Sequence, residues 1–230
     1  MIKKHMPSPV GHALAGVAAA WAADLLPGRR LWRTGAPTAP AFSSAFLSAG
    51  GGALTLVAAA LGVAPDLDLF LAQHRAITHS VGAVAAIFIV AGVVTGQVTG
   101  KVQSTKYKVQ SKLEVQSETF SVDRVLRVAM ICAAAYGSHL LLDWLAVDRR
   151  MPYGLQALWP FSDGWYVSGL DLFPQTERRN LLSFATLRIN ARAMSYETAV
   201  MLPVLILVWL VRVKTVTRLP TEAARRYHAP

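Results

Sequence analysis

Long runs of apolar residues, separated by polar segments, restrict most strongly how this chain can fold. Residues 44–64 contain no charged side chain, and a helix of that length can cross the roughly 30 Å hydrocarbon core of a bilayer. Further apolar runs are residues 78–99, residues 125–147, which include Arg127, His139 and Asp143, and residues 193–211. The last contains Pro203, which a membrane helix tolerates as a kink. Because a helix satisfies its backbone within one segment, these runs predict an all-α bundle that spans a membrane.

The run over residues 9–26 is shorter and rich in Ala and Gly. Ser8 followed by Pro9 is typical of a helix N-terminus, because serine caps the first turn and proline favours the first helical position. Small residues that can line one close-packing face recur along this run, namely Gly11, Ala15, Ala18 and Ala22. A cleaved signal peptide is the alternative, since Lys3 and Lys4 precede the run. With this run counted as a span, we predict an integral membrane bundle of about five transmembrane helices.

The composition agrees with a membrane protein and argues against a nucleic-acid-binding one. Hydrophobic residues make up 53% of the chain and charged residues 16%, which is more apolar than an ordinary soluble domain. The formal net charge is +10, but the Lys and Arg residues cluster in loops and at the ends of the runs, as in membrane proteins. A nucleic-acid partner is therefore not expected. The single cysteine, Cys132, excludes an internal disulfide framework and a thiolate metal cluster.

The polar segments divide the chain into four parts. Residues 1–99 contain the first three predicted helices with an Asp/His motif, and residues 100–124 form a low-complexity polar loop. Residues 125–214 contain the remaining helices and an aromatic loop, and residues 215–230 form a basic tail. Within 101–121 the tripeptide Val-Gln-Ser recurs in Lys- and Ser-rich sequence that has little to bury. Trp and Tyr residues in 148–192 are typical of the membrane–water interface. Part of that loop is expected to lie along the bilayer or to fold over a site.

Histidine and aspartate residues are concentrated at the ends of the apolar runs. Ionisable groups at membrane depth are rare unless they pair, bind a metal or do chemistry. In an antiparallel bundle, the starts of odd-numbered spans and the ends of even-numbered spans lie at the same face. The residues at these positions are His12, Asp66, Asp68, His79, His139 and Asp143, with His74 and Arg75 beside them. We therefore expect all of them to converge at one membrane face.

Imidazole and carboxylate groups together predict a metal site. They suit zinc, manganese or iron, and zinc needs the fewest special assumptions. His139 and Asp143 are four residues apart, so they project from one helical face. A catalytic site would leave a coordination position for water and lower the pKa of that water to about 7. Arg75 would clamp an anionic phosphate oxygen, and His74 is expected beside the ligands rather than among them.

Each motif alone also has a structural explanation. A His-x-x-x-Asp pair can be a buried hydrogen bond, and a Pro-Asp-x-Asp turn can end a helix with solvated carboxylates. His12 alone can be a helix-packing residue. The expected convergence of these groups at one face favours the metal site. Among the other acidic residues, Asp163 and Asp171 are expected to be solvated in a loop, and Asp24 is expected to flank a span at the interface.

These residues resemble those of a known bacterial family. His12, Pro65-Asp66-Leu67-Asp68, His74-Arg75-x-x-Thr78-His79-Ser80, His139-x-x-x-Asp143 and Leu158-Trp159-Pro160-Phe161 follow the order of the LexA-regulated, membrane-bound, predicted metal-dependent hydrolases. The resemblance covers about residues 5–165, whereas the 101–121 segment and the tail beyond about residue 175 depart from it. It implies an inner-membrane location and a metal site formed by His12, Asp66, Asp68, His79, His139 and Asp143, with His74 and Arg75 close by. A more distant similarity to zinc phospholipase C and P1 nuclease suggests phosphoester hydrolysis.

We therefore predict a membrane-bound, metal-dependent hydrolase of lipid-like phosphoesters in the bacterial inner membrane. Its predicted partners are membrane lipids and a small-molecule or lipid phosphoester substrate. The alternatives are an ion or metal transporter, and a non-catalytic membrane protein with a structural metal site. The basic residues also predict an orientation. The side formed by residues 27–43, 100–127 and the C-terminal tail carries 14 Lys and Arg, and the side of the His/Asp motifs carries 9. The C-terminal tail is counted here from residue 212. This excess predicts a cytoplasmic C-terminus and a metal site that faces outwards.

Overall fold

The computed structural model describes residues 7–25, 52–70, 75–109, 122–148, 151–177 and 180–227. The α-helices in these ranges are α1 (Pro9–Asp24), α2 (Gly52–Val63), α3 (Val81–Val109), α4 (Val122–Leu145) and α5 (Phe184–Tyr227). Two short 3-10 helices, Ala64–Phe70 and Ile77–His79, lie between α2 and α3. No β-strand occurs in the described ranges, and the predicted all-α class is confirmed.

Three of the helices are long and apolar enough to cross a membrane. The qualifying segments are Val81–Val98 in α3, Arg124–Leu145 in α4 and Phe184–Lys214 in α5. Helices α1 and α2 contain 16 and 12 residues, fewer than the roughly 20 that a full span needs. Residues 44–51 of the second predicted run lie outside the described part of the chain. The predicted helical membrane bundle is confirmed, and three of its helices have the length of a full span.

Helix α1 packs against α2, α4 and α5. Its start agrees with the prediction, because Ser8 caps the first turn and Pro9 occupies the first helical position. The closest approach is to α2, where a Cβ on Gly16 would lie 2.6 Å from the carbonyl oxygen of Ala58. The close-packing face therefore includes Gly16, whereas Ala22, which the sequence assigns to this face, is exposed.

Two helices extend further than the sequence predicts. Helix α3 continues to Val109, so residues 101–109 are helical where a polar loop is predicted. Lys and Gln are good helix formers, and neither proline nor glycine interrupts this stretch. Residues 110–121 lie outside the described ranges. Helix α5 begins at Phe184, inside the predicted aromatic loop, and continues to Tyr227 through most of the predicted basic tail.

The loop between α4 and α5 folds back over one end of the bundle. The Gln156 N–H donates to the carbonyl of Arg75 at 3.1 Å, which joins the loop to the segment between α2 and α3. Further along, Phe173 is buried and packs in one cluster with Ala15 and Leu142. The loop therefore covers the ends of α1 and α4 instead of extending away from them.

Asp24, Arg127 and Arg212 form a buried ion-pair cluster at the other end of α1. Arg127 Nη2 lies 2.6 Å from Asp24 Oδ1, and Arg212 Nη1 lies 3.1 Å from Asp24 Oδ2. These contacts connect the last turn of α1 to the start of α4 and to α5. Asp24, which the sequence predicts to flank a span, is buried between helices together with both arginines.

Candidate metal centre

One end of the bundle gathers the N-termini of α1 and α3 and the C-termini of α2 and α4. The alternating topology expected from the sequence places the predicted site residues there. The side chains that the structure brings to this end are His12, Asp66, Asp68, Arg75, His79, His139 and Asp143, all of them buried. His74 lies outside the described residues.

Four of these side chains, those of Asp66, His79, His139 and Asp143, form a compact group. Their ligand-type atoms all lie within 4.8 Å of one another. The Nε2 atoms of the two histidines are 3.1 Å apart. His139 Nε2 lies 3.4 Å from Asp66 Oδ1, and His79 Nε2 lies 3.4 Å from Asp143 Oδ2. Within α4, His139 Nε2 and Asp143 Oδ2 are 3.6 Å apart, on one helical face.

These spacings fit a single metal ion. Donor atoms that lie 2.0–2.2 Å from a tetrahedral ion are about 3.3–3.6 Å from one another, close to the separations within the group. Imidazole nitrogen and carboxylate oxygen are also the donors that zinc accepts in proteins. Both oxygens of Asp143 are buried and make no hydrogen bond among the described residues, as expected of a ligand. The group can therefore hold a metal ion.

Asp68 orients the ring of His79 by contacting its Nδ1 atom. Asp68 Oδ2 lies 3.2 Å from His79 Nδ1, the nitrogen that faces away from the four-residue group. The same oxygen accepts hydrogen bonds from the Arg75 N–H and the Thr78 hydroxyl. Because a carboxylate accepts, Nδ1 carries the proton and Nε2 faces the group. The structure thus places Asp68 on the far side of the His79 ring from the four-residue group, whereas the sequence predicts Asp68 as a direct ligand of the metal. Ser80 caps α3, because its hydroxyl oxygen accepts a hydrogen bond from the Ala83 N–H.

The backbone orients His139, and His12 lies against it. His139 Nδ1 is 2.8 Å from the carbonyl oxygen of Gly62, which can only accept, so His139 Nε2 points into the group. The His12 ring stacks on that of His139 with centroids 3.7 Å apart. His12 Nε2 lies 3.3 Å from Asp143 Oδ1, the oxygen that does not face His79. His12 is therefore at the edge of the group, adjacent to the four side chains but not among them.

Arg75 is held beside the group by Asp148, a residue that the sequence analysis did not single out. Arg75 Nη1 lies 2.8 Å from Asp148 Oδ2, and its Nε lies 3.8 Å from Asp143 Oδ2. The backbone of Arg75 has φ 63°, in the left-handed region that residues other than glycine rarely adopt. Hydrogen bonds of its N–H to Asp68 and of its carbonyl to Gln156 hold this conformation. The result is a positive charge at the edge of the group.

The clustered carboxylates control protonation at His79 and Asp66. Burial by itself lowers the pKa of His79, but the neighbouring carboxylates of Asp143, Asp66 and Asp68 outweigh burial and raise this pKa to about 10. Burial acts in the opposite sense on Asp66, yet the neighbouring imidazoles of His139 and His79 hold the pKa of Asp66 well below its usual range. In the metal-free protein a proton on His79 therefore offsets part of the negative charge. A cation that binds must displace this proton.

Glu197 is a further buried carboxylate at this end of the bundle, and the sequence analysis missed it. It lies on α5 with no exposed surface, and its carboxylate accepts a hydrogen bond from the Ser8 N–H at 2.9 Å. The signal was present in the sequence, because Glu197 is a lone acidic residue in the apolar run 193–211. An ionisable residue at membrane depth is costly, so Glu197 is a candidate functional residue in the same way as His139 and Asp143.

The fold and the site together define an all-helical membrane protein with a buried His/Asp centre at one end of its bundle. The chain matches the YdjM inner membrane protein family over residues 6–218, and it belongs to that family. The match extends through residue 218, beyond the residues on which the resemblance to the hydrolases rests. No curated protein and no solved structure matches the chain. The predicted inner-membrane location is confirmed by the family and by the three apolar helices.

Proposed function

We propose that this protein is a membrane-bound, metal-dependent hydrolase of lipid-like phosphoesters. The observation that carries the proposal is the buried group of Asp66, His79, His139 and Asp143, whose atoms have the spacing of metal ligands. The guanidinium of Arg75 lies beside it. A bound divalent ion, zinc in this proposal, would supply an activated water near neutral pH and polarise a phosphoester oxygen.

The residues around the group have supporting roles in this proposal. Asp68 and the Gly62 carbonyl fix the directions of the two imidazoles, as outer-shell partners do in metal sites. Arg75 binds an anionic phosphate oxygen, because a guanidinium presents paired donors that match phosphate geometry. We keep His12 in the proposed ligand set, because its Nε2 lies 3.3 Å from Asp143 Oδ1 and both of its ring nitrogens are buried without a hydrogen bond among the described residues.

Exposed apolar side chains at the same end support a lipid-like substrate. Met151, Phe161, Leu182 and Phe184 are between 81% and 93% exposed. Phe184 begins α5, and Met151 and Phe161 belong to the loop that covers the ends of α1 and α4. The interface of a bilayer accommodates exposed apolar side chains of this kind. We therefore propose that the substrate has an apolar part and reaches the group along the membrane interface.

Purified protein in lipid nanodiscs tests the proposal. We expect about one equivalent of bound metal, in keeping with one compact group of ligand atoms, together with hydrolysis of bis(p-nitrophenyl) phosphate and of a phosphodiester lipid. His79→Ala should lose both the metal and the hydrolysis. Asp163→Asn is the matched control, because Asp163 is an exposed loop residue, and it should retain both. Metal-loaded protein that hydrolyses neither compound, or hydrolysis that survives in His79→Ala, would contradict the proposal.

A structural metal site is the second candidate, and one observation favours it. Four protein side chains can fill a tetrahedral shell, which is typical of structural zinc, and these four are buried. In that case metal removal should lower the melting temperature strongly, and no phosphoester should be hydrolysed. Arg75 and His12 argue for the enzyme, because a closed structural site needs neither. The transporter alternative receives no such support, since the group lies where helices end rather than at mid-span.

A further inference from the structure

We infer that Glu197 is a positioning residue for the metal centre and acts through the first turn of α1. The inference rests on the proposed metal centre and extends it to α5, which contributes none of the four grouped side chains. Glu197 is completely buried within the membrane-crossing segment Phe184–Lys214. A carboxylate at such a position is costly, and residues of this kind in membrane helices commonly serve a function.

The carboxylate of Glu197 holds the start of α1. The Ser8 N–H donates to its two oxygens at 2.9 and 3.0 Å, and the Ser8 hydroxyl donates to Oε2. Ser8 in turn caps the helix, because its Oγ accepts a hydrogen bond from the Gly11 N–H at 3.2 Å. The negative charge of Glu197 also lies at the end of α1 where the helix dipole is positive. The first turn of α1 is therefore fixed to α5.

This first turn determines where His12 lies. The His12 N–H donates to the Ser8 carbonyl at 3.2 Å, so the backbone of His12 follows that of Ser8. The His12 ring stacks on His139, and its Nε2 contacts Asp143 at 3.3 Å. None of the four grouped side chains lies on α1. A shift of Ser8 would therefore move His12 relative to that group. Glu197 therefore acts on the site through Ser8 and His12.

Gly11 shows how closely Glu197 is fitted to α1. A Cβ at position 11 would overlap Glu197 Oε2. Gly11→Ala keeps the carboxylate but pushes it away from Ser8, so it should reproduce the effect of Glu197→Gln. Glu197→Ala removes the carboxylate and leaves only the Cβ of residue 197, at 3.2 Å, so adding Gly11→Ala to it should change much less than Gly11→Ala changes in the wild type. This non-additivity is the signature of direct contact between the two positions.

Cobalt(II) binding to the full chain in nanodiscs tests the role of Glu197. Glu197→Gln and Gly11→Ala should still bind cobalt, but about tenfold more weakly, as expected for an outer-shell residue, and with an altered visible spectrum. Thr55→Val is the matched control. It removes the hydrogen bond that Trp21 donates to Thr55 at the other end of α1, and it should leave the cobalt affinity and spectrum unchanged. Complete loss of cobalt in Glu197→Gln would make Glu197 a ligand and overturn the inference, as would wild-type affinity and spectrum in both variants.

Hydrogen exchange in the metal-free protein gives a second measurement that does not depend on the metal. Glu197→Gln should speed exchange in the peptide that covers residues 8–13 and leave the peptide around Trp21 unchanged. Thr55→Val should show the reverse pattern. Unchanged exchange at the start of α1 in Glu197→Gln would overturn the inference. If the wild-type protein binds neither zinc nor cobalt, the proposed metal centre fails, and the exchange data still decide whether Glu197 anchors α1.

Discussion

Asp68→Asn should weaken metal binding without removing the site. Asp68 Oδ2 lies 3.2 Å from His79 Nδ1, on the side of the ring opposite the four-residue group. Asparagine has nearly the same size and can still accept from the Thr78 hydroxyl, but it carries no negative charge. His79 then loses the carboxylate that increases its basicity as a ligand. Loss of such a partner typically lowers metal affinity about 10- to 100-fold, or about 1.4–2.7 kcal/mol.

The size of this loss should depend on pH. Asp68 also stabilises the proton on His79, whose pKa is raised to about 10, and this proton competes with the metal. Near neutral pH the substitution weakens the binding of the metal and also the binding of the competing proton to His79, so the two effects on metal affinity partly cancel. As the pH rises towards about 9, proton competition in the wild-type protein diminishes. The difference in affinity between wild type and Asp68→Asn should therefore be larger at the higher pH.

Zinc titration in competition with a chelator, at pH 7 and at pH 9, measures both effects. The number of bound ions should remain that of the wild type, and the exposed-loop variant Asp163→Asn should match the wild type at both pH values. If Asp68→Asn lost zinc completely, as we expect for His79→Ala, Asp68 would be a direct ligand and the geometric argument would be refuted. Wild-type affinity at both pH values would equally refute the role assigned to Asp68.

The remaining predictions concern stability. In the metal-free protein, protonation of His79 stabilises the fold fully below about pH 6.5, and this contribution is lost as the pH rises through about 10. The melting temperature should fall over that window, and bound zinc should remove the fall; a flat profile without metal would contradict this. Gly16→Ala should lower the free energy of unfolding by about 1–3 kcal/mol, because its Cβ would meet the Ala58 carbonyl oxygen at 2.6 Å. Gly137→Ala is the matched control, since its Cβ would meet Val84 at an ordinary 3.8 Å, and equal destabilisation of both variants would refute the packing argument.

The membrane helices and the meeting of the site residues follow from local properties of the sequence. A predominantly apolar run of about 20 residues can satisfy its backbone in lipid only as a helix, which accounts for α3, α4 and the central part of α5. Alternating helix directions then bring the start of α1 to the same end as the end of α4. For this reason the sequence alone predicts His12 and Asp143 at one face, and in the structure His12 Nε2 lies 3.3 Å from Asp143 Oδ1.

The finer arrangement depends on contacts that spacing does not encode. Asp66 and Asp68 are equivalent in a short turn, but in the fold Asp66 faces Nε2 of His79 and Asp68 faces Nδ1. Glu197 and Ser8 are separated by 189 positions, so no local pattern pairs them. A carboxylate in an apolar run indicates that a partner exists, and only the packing of α1 against α5 identifies that partner.

The two ends of α1 explain how a helix of small residues can hold His12 in place. Lipid provides no hydrophobic driving force between helices, so packing and polar contacts must hold them together. In α1 the packing comes from the close approach of Gly16 to α2, and the polar contacts come from Glu197 at the start and from the ion pairs of Asp24 at the end. At 1.5 Å per residue, Asp24 lies about 18 Å along the helix from His12. Loss of the Asp24 contacts should therefore act mainly on the stability of the bundle, whereas loss of the Glu197 contact, one turn from His12, should act mainly on metal affinity.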